Sequence, residues 1–264
     1  MKKYLVIGNP IKHSLSPILH NYWIKKEKIN AIYQKKKLDE HELGKLILEL
    51  KKKKIDGINI TVPFKKKIIP HLDKLSEEAT LTQSVNTLFL DENKITGHNT
   101  DIEGFMKGLK KTNYTIEGKK TLVLGAGGVV SSIIFALKKM KASEITITNR
   151  TQTKAEDLKK LFNGLKVIKW GNVPDFDVII NATSIGLNIN DKIDLDFSKI
   201  GRNKLFFDVI YNPKETNFLS IGKKLGNKIE NGKLMFIHQA SAAFKIWHGL
   251  QPDISDDVIK LMDL

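Results

Sequence analysis

Gly125-Ala126-Gly127-Gly128 and Asn149-Arg150-Thr151 pair a glycine-rich loop with a cation placed where a dinucleotide's adenosine ribose is read. Thr121 to Leu124 is a short β-branched and apolar run and Val129 to Leu137 is helix-compatible, so the glycines lie where a buried strand turns into a helix. There, glycines let the main chain turn tightly and approach a pyrophosphate, whose charge is stabilised by free N–H groups at the helix N-terminus. After a second strand, Glu144 to Thr148, a site for NAD usually offers an acid to the ribose hydroxyls, whereas this chain offers Asn149 and Arg150. A guanidinium grips a 2′-phosphate through paired hydrogen bonds, and a carboxylate repels it. The stretch therefore reads as an NADP site; the plain alternative is a glycine turn beside a solvated arginine.

Other residues with chemical potential lie upstream, each open to a structural reading as well. In His13-Ser14-Leu15-Ser16-Pro17, Ser16 suits a helix N-cap and Pro17 the first helical position, but both serine hydroxyls could also join the helix N-terminus in binding a carboxylate. Strand alternation in Ile58 to Val62 puts Asn59 and Thr61 on one face, pointing to a cleft or to solvent. Lys65 follows, one lysine among many. Thr100-Asp101-Ile102-Glu103 has capping-box spacing, with Asp101 favoured by the helix dipole. Asn86 suits either a turn or a hydroxyl ligand. His13, His20, His98 and His238 lack metal-ligand spacing, so no metal is expected.

The elements that must position these residues alternate. Strands are expected at Tyr4 to Ile7, Ala31 to Gln34, Gly57 to Val62, Leu165 to Lys169, Asp177 to Asn181 and Lys204 to Val209, with helices opening near Pro17, over Glu40 to Lys52 and at Asp101. The alternation implies α/β architecture with parallel strands. Past Gly232, Ile237, Ala240, Phe244 and Trp247 recur at helical spacing, and Ile254 to Leu264 forms a last amphipathic segment expected to fold back on the first domain. The chain has 264 residues, 41% of them hydrophobic, enough for one large or two modest domains. Its charge of +15 comes almost wholly from lysine, because only Arg150 and Arg202 are arginine among 44 basic residues. Nucleic-acid readers usually mix in arginine for bidentate contacts, so no nucleic-acid partner is expected. The first apolar run stops at Gly8-Asn9-Pro10, too early for a signal peptide, and no apolar run spans a bilayer. Without cysteine there is no disulfide framework, and a cytoplasmic protein with no membrane partner is expected.

Taken jointly, several segments resemble the shikimate dehydrogenase family in order and spacing. They are Gly8 to Pro17, Asn59-Ile60-Thr61-Val62-Pro63-Phe64-Lys65 and Gly97 to Gly104, then Gly125 to Gly128, Asn149-Arg150-Thr151, Asn181 to Gly186, Asp208-Val209-Ile210-Tyr211-Asn212-Pro213, and Gln239-Ala240 through Phe244 to Trp247. The likeness covers nearly the whole chain. It implies reversible NADP-linked reduction of 3-dehydroshikimate to shikimate, on the route to chorismate and the aromatic amino acids, with a quinate or dual quinate/shikimate dehydrogenase using NAD(P) as the alternative.

The resemblance implies a fold and roles. An N-terminal α/β substrate domain, residues 1–101 completed by helices within 238–264, faces a Rossmann-type NADP-binding domain, residues 102–237, across a cleft. Lys65 and Asp101 form the catalytic pair; Ser14, Ser16 and Thr61 hold the substrate carboxylate; Asn59, Asn86 and Gln239 reach ring hydroxyls, and Tyr211 borders the same cleft. Gly125, Ala126, Gly127, Gly128, Asn149, Arg150, Thr151, Lys154, Thr183 and Gly232 bind the cofactor. The chemistry agrees: hydride transfer to a ketone leaves charge on its oxygen, which a lysine ammonium can both stabilise and protonate. Oxidation releases a proton, so that direction is expected to rise with pH. Val130 stands where the dinucleotide motif usually has a small residue, Ser131 where the family often has a basic one and Lys154 where it often has a second arginine; these departures reduce the expected phosphate grip without changing its sign. The partner expected is a small-molecule substrate, with a homodimer left open.

Overall fold

In a computed structural model, which describes residues 1–171 and 173–263, the chain divides into two compact units, Met1–Gly104 with Ile237–Leu264, and Phe105–Phe236. The first holds β1 (Lys2–Gly8), α1 (Ser16–Lys26), β2 (Ala31–Lys37), α2 (Leu43–Lys51), β3 (Gly57–Ile60), α3 (Phe64–Lys67), β4 (Lys74–Leu75), α4 (Glu77–Thr82), β5 (Thr87–Asp91) and β6 (Lys94–His98). Its sheet runs β2-β1-β3-β5-β6-β4. β1 pairs parallel with β2 and β3, whereas β5 runs antiparallel to β3 and β6. The sheet is thus mixed, where alternation alone suggested parallel strands. The reversal comes from a tight hairpin whose two loop residues, Glu92 and Asn93, both have positive φ, at 46° and 62°. That backbone matches the twist of a hairpin, but Glu-Asn lacks the usual Asn-Gly signal.

One face of this sheet buries Leu5, Ile7, Ile58 and Ile60 with Leu46 and Leu50 of α2. Tyr4 and Tyr33 turn to the other face, among Trp23 and two residues of the long helix that re-enters this unit, Phe244 and Trp247. Gly57 makes room for Trp247, since a Cβ there would lie 2.3 Å from the indole nitrogen, which instead donates to the Leu88 carbonyl at 3.0 Å. The Trp23 indole donates to the Asp253 carbonyl, which fastens the chain just before the last helix.

Helix α5 (Asp101–Lys110) leads into the second unit, which contains β7 (Lys120–Leu124), α6 (Val130–Lys139), β8 (Glu144–Thr148), α7 (Gln152–Leu161), β9 (Lys166–Ile168), β10 (Val178–Asn181), β11 (Leu205–Asp208), α8 (Asn217–Lys224) and β12 (Lys228–Glu230). Helix α9 (Lys233–His248) then returns to the first unit, followed by α10 (Asp256–Leu261); Leu264 lies outside the described residues. The second sheet, β12-β11-β10-β7-β8-β9, is parallel throughout. Its strand order is that of a doubly wound dinucleotide-binding fold, with the switch point between β7 and β10. The α/β class is as the sequence implied.

Element ends account for the local departures. Helix α1 begins at Ser16, with Leu15 in the cap position and no side-chain cap bond, so Ser16 is not the N-cap. The span expected as one helix from Glu40 opens as a 3-10 turn, Glu40–Glu42, where Asp39 and Glu42 form a capping box. Strand β3 ends at Ile60, two residues before the expected Val62.

Candidate active site

Phe64 and Lys65 are neighbours on the single turn of α3, and the first dictates where the second goes. Phe64 is buried in the core against the sheet, while the Lys65 carbonyl accepts the Val85 N–H at 2.9 Å, tying the turn to the segment that carries Asn86. The Lys65 ammonium makes an ion pair with Asp101 Oδ2, and the two side chains are only 11% and 8% exposed. The pair Lys26–Asp253, by contrast, is 40% and 59% exposed, a geometry worth little in water. A buried pair is costly to desolvate and survives only if its remaining hydrogen bonds are met. The carboxylate has such a bond, since Asn86 Nδ2 donates to Asp101 Oδ1 at 3.0 Å, and the Asp101 N–H, in the first turn of α5, donates to Asn99 Oδ1 at 3.1 Å. Among the chain's 42 lysines, Lys65 is thus marked out by packing rather than by local sequence.

Asn86 is the hub. Its Oδ1 accepts from the Thr100 N–H at 2.8 Å and from the Thr87 hydroxyl at 3.0 Å, and its Nδ2 lies 3.5 Å from Gln239 Oε1. Asn59, on β3, donates its Nδ2 to the Asn86 carbonyl at 3.1 Å and to the Thr87 hydroxyl at 3.0 Å. Thr87, Asn99 and Thr100 are members that sequence reasoning missed, although Asn99 and Thr100 stand next to Asp101 in the quoted block. Ser14 sits on the loop between β1 and α1 and Ser16 opens α1, and the Ser14 hydroxyl accepts the Ser16 N–H at 3.4 Å. Thr61 follows β3 directly, and its N–H donates to the Ile7 carbonyl at 2.9 Å. A Cβ on Gly8 would lie 2.6 Å from the Thr61 methyl, so glycine at that position is what lets the two loops meet.

In the second unit the candidate residues lie at the C-terminal ends of β7, β8, β10 and β11, where parallel α/β sheets bind ligands. Gly125 has φ +112°, and a Cβ there would lie 2.9 Å from the Ala182 carbonyl across the switch point. Gly127 has open space where a Cβ would be, and Gly128 beside it is exposed; Ala126 is half-buried. Helix α6 starts after them with no side-chain cap, its first N–H, that of Val130, donating to the Gly127 carbonyl at 3.0 Å. Val130 and Ser131 are buried, so neither departure puts a side chain on the phosphate-facing surface. After β8, Asn149 Nδ2 donates to the Thr151 carbonyl at 2.8 Å, and α7 again opens with no side-chain cap. Arg150, Thr151 and Lys154 are exposed around that helix start, and no ion pair among the described residues engages the two cations.

Thr183, expected to bind the cofactor, has its hydroxyl engaged on both sides within its own loop. That group donates to Asn181 Oδ1 at 2.7 Å and accepts the Ile185 N–H at 3.0 Å, so it shapes its own loop. Asn181 also donates to both oxygens of Asp208, its register partner on β11, at 3.1 Å. Asp208 takes the Ile210 N–H at 3.0 Å and the Thr216 hydroxyl at 2.6 Å, and burial pushes its carboxyl up to about 6. Tyr211 stacks on Phe236 with ring centroids 4.7 Å apart. Gly232 approaches so closely that a Cβ would lie 2.1 Å from the Val209 carbonyl oxygen, which seats the start of α9 beside the loop carrying Tyr211.

This arrangement has relatives. A family model described as the shikimate dehydrogenase substrate binding domain matches residues 6–88, and one described as shikimate / quinate 5-dehydrogenase matches residues 108–217. The chain is 59% identical to the shikimate dehydrogenase (NADP(+)) of Pelagibacter ubique, over 100% of this chain and 99% of that protein. Among solved structures, the shikimate dehydrogenase of Aquifex aeolicus superposes with a TM-score of 0.89 at 37% identity, covering 99% of this chain and 97% of that one. The shikimate 5-dehydrogenase of Thermus thermophilus, solved in complex with NADP(H) and shikimate, gives 0.87 at 31%, covering 100% and 97%. Similarity at this level along the whole chain means that the protein belongs to the shikimate dehydrogenase family.

Proposed function

We propose that the chain catalyses the reversible, NADP-dependent interconversion of 3-dehydroshikimate and shikimate, and that its chemistry rests on the buried Lys65–Asp101 pair. In the reduction, the Lys65 ammonium stabilises and protonates the developing alkoxide, and in the oxidation Lys65 takes the hydroxyl proton back. Asp101 aims the ammonium and has one Oδ1 lone pair left for a substrate hydroxyl, its other partner being Asn86. Ser14, Ser16 and Thr61 hold the substrate carboxylate, Asn59, Asn86 and Gln239 meet ring hydroxyls, and Tyr211 borders the ring. Residues 1–101 with 238–264 serve the substrate and residues 102–237 the cofactor.

When bound, the cofactor would supply the hydride in the reduction and take it in the oxidation. The residues present fit it. Gly125 to Gly128 give a cradle whose open space at Gly127 suits a pyrophosphate, and the uncapped α6 directs N–H groups to it. Arg150 and Lys154, exposed beside the uncapped α7, suit a 2′-phosphate, with Asn149 and Thr151 forming the turn between them. Gly232 and the Thr183 loop suit the nicotinamide end. No helix among the described residues is long and apolar enough to cross a membrane. A cytoplasmic setting and a homodimeric assembly complete the proposal; gel filtration and fractionation test them.

The test of the pair is Lys65→Ala. Turnover is expected to fall by a factor on the order of 10²–10⁴, while the calorimetric affinity for shikimate changes far less. Turnover near normal in a folded variant excludes Lys65 from proton transfer.

A further inference from the structure

Tyr33 lies outside every motif discussed so far, yet its hydroxyl meets one of the groups assigned to the substrate. The phenol donates to Asn59 Oδ1 at 2.7 Å. A phenol has one proton, and Asn59 has it. Asn59 has two amide protons, and both are committed to the Asn86 carbonyl and the Thr87 hydroxyl. What Asn59 has left to offer is one lone pair on Oδ1. It is therefore an acceptor, able to meet a substrate hydroxyl as donor and unable to donate to a carbonyl or ether.

Tyr33 itself is held on all sides. Its residue is 1% exposed, its N–H donates to Asn21 Oδ1 at 2.9 Å and its carbonyl accepts Asn21 Nδ2 at 2.8 Å. Its ring stacks on His20 with centroids 4.2 Å apart and planes 3° from parallel. The imidazole has no hydrogen-bond partner for either nitrogen among the described residues, and burial keeps it neutral. His20 thus acts as an uncharged aromatic plate under the phenol, with α1 supplying both His20 and Asn21.

We propose that Tyr33 is a positioning residue which holds Asn59 by its side-chain oxygen, fixing Asn59 as a hydrogen-bond acceptor for a substrate hydroxyl. The chain Tyr33–Asn59–Asn86–Asp101–Lys65 then links substrate recognition to the catalytic pair through side chains and one main-chain carbonyl. This rests on the functional reading above only for the identity of the substrate.

The experiment is Tyr33→Phe in the full-length enzyme, which keeps the ring and its stack and removes the hydroxyl alone. KM and calorimetric Kd for shikimate are expected to rise about tenfold, with kcat within about threefold and KM for NADP unchanged, since one hydrogen bond and the orientation of a second group are lost. A role confined to packing lowers Tm and leaves the shikimate KM and Kd where they were; that result overturns the proposal. A second measurement separates positioning from a general loss of stability. In a cycle of Tyr33→Phe, Asn59→Ala and the double variant, the losses in shikimate affinity are expected to be non-additive, because Tyr33 acts through Asn59. Additive losses overturn the coupling. If the wild type turns over no shikimate, the functional reading fails instead, a different and separately visible outcome.

Discussion

The two units hold their candidate residues in opposite ways. In the first, Lys65, Asp101, Asn86 and Asn59 are buried and bonded to one another, so their orientation exists before any ligand arrives. In the second, the candidate groups are main-chain N–H at uncapped helix starts, glycines that make room, and two exposed cations. Under the proposed function, the difference follows from what each recognises. A small ring with several hydroxyls needs donors and acceptors at fixed angles, which side-chain networks supply. A pyrophosphate needs charge and close approach, which backbone and helix dipole supply with little side-chain order. Mutational losses are therefore expected to be steep and specific in the first unit and shallower in the second.

The largest expected effect is at the network's charged end. Asp101→Asn retains the shape and a partner for Asn86 but removes the charge that aims Lys65. Turnover is expected to fall by a factor on the order of 10²–10⁴ with NADP affinity intact, as stopped-flow rates and cofactor titration can show. A matching loss of NADP affinity breaks the contrast between the units. A smaller effect belongs to Arg150. Replacing it with Ala is expected to raise KM for NADP roughly ten- to a hundredfold and to spare NAD, with Lys154→Ala adding to the loss. Equal losses for both cofactors make Arg150 a support of its loop rather than a reader of the 2′-phosphate.

The mildest prediction concerns acid. Burial pulls His20 down to about 3 and His248 to about 4 from an ordinary 6.5, so in the first unit they contribute stability that is present above pH 6.5 and lost as pH falls through about 4 and then about 3. Asp208, in the second unit, has the opposite sign. Raised from 3.8 to about 6, it contributes stability that is fully present below 3.8 and lost as pH rises through about 6. Amide exchange between pH 6.5 and 4, corrected for intrinsic rates, is expected to lose more protection in β1–β3 and α9 than in β10 and β11. Equal loss in both breaks the contrast.

The readable parts of the sequence were those with a local cause. The glycine loop after Leu124, the cation after Thr148 and the alternation of strands and helices each follow from neighbours in the chain, and all lie where expected. The importance of Lys65 has no local cause: it stands among many other lysines and becomes distinct only where the turn into β5 brings Asn86 and α5 brings Asp101. Family blocks pointed to it, but periodicity and propensity did not. Ser16 shows the converse, since Ser-Pro suggests a cap whereas the helix opens at Ser16 itself, with Leu15 in the cap position. The antiparallel β5–β6 hairpin was hidden by a Glu-Asn turn, and Asp208 by a burial no single segment reveals.

The most direct test of the central claim is the initial rate of nicotinamide reduction by the wild-type protein, with shikimate and quinate each paired with NADP and NAD. The account predicts the highest kcat/KM for shikimate with NADP, and a value lower by about tenfold or more with NAD, because only NADP meets Arg150 and Lys154 with a 2′-phosphate. No reduction of NADP by shikimate, or a higher kcat/KM with quinate or with NAD, contradicts it.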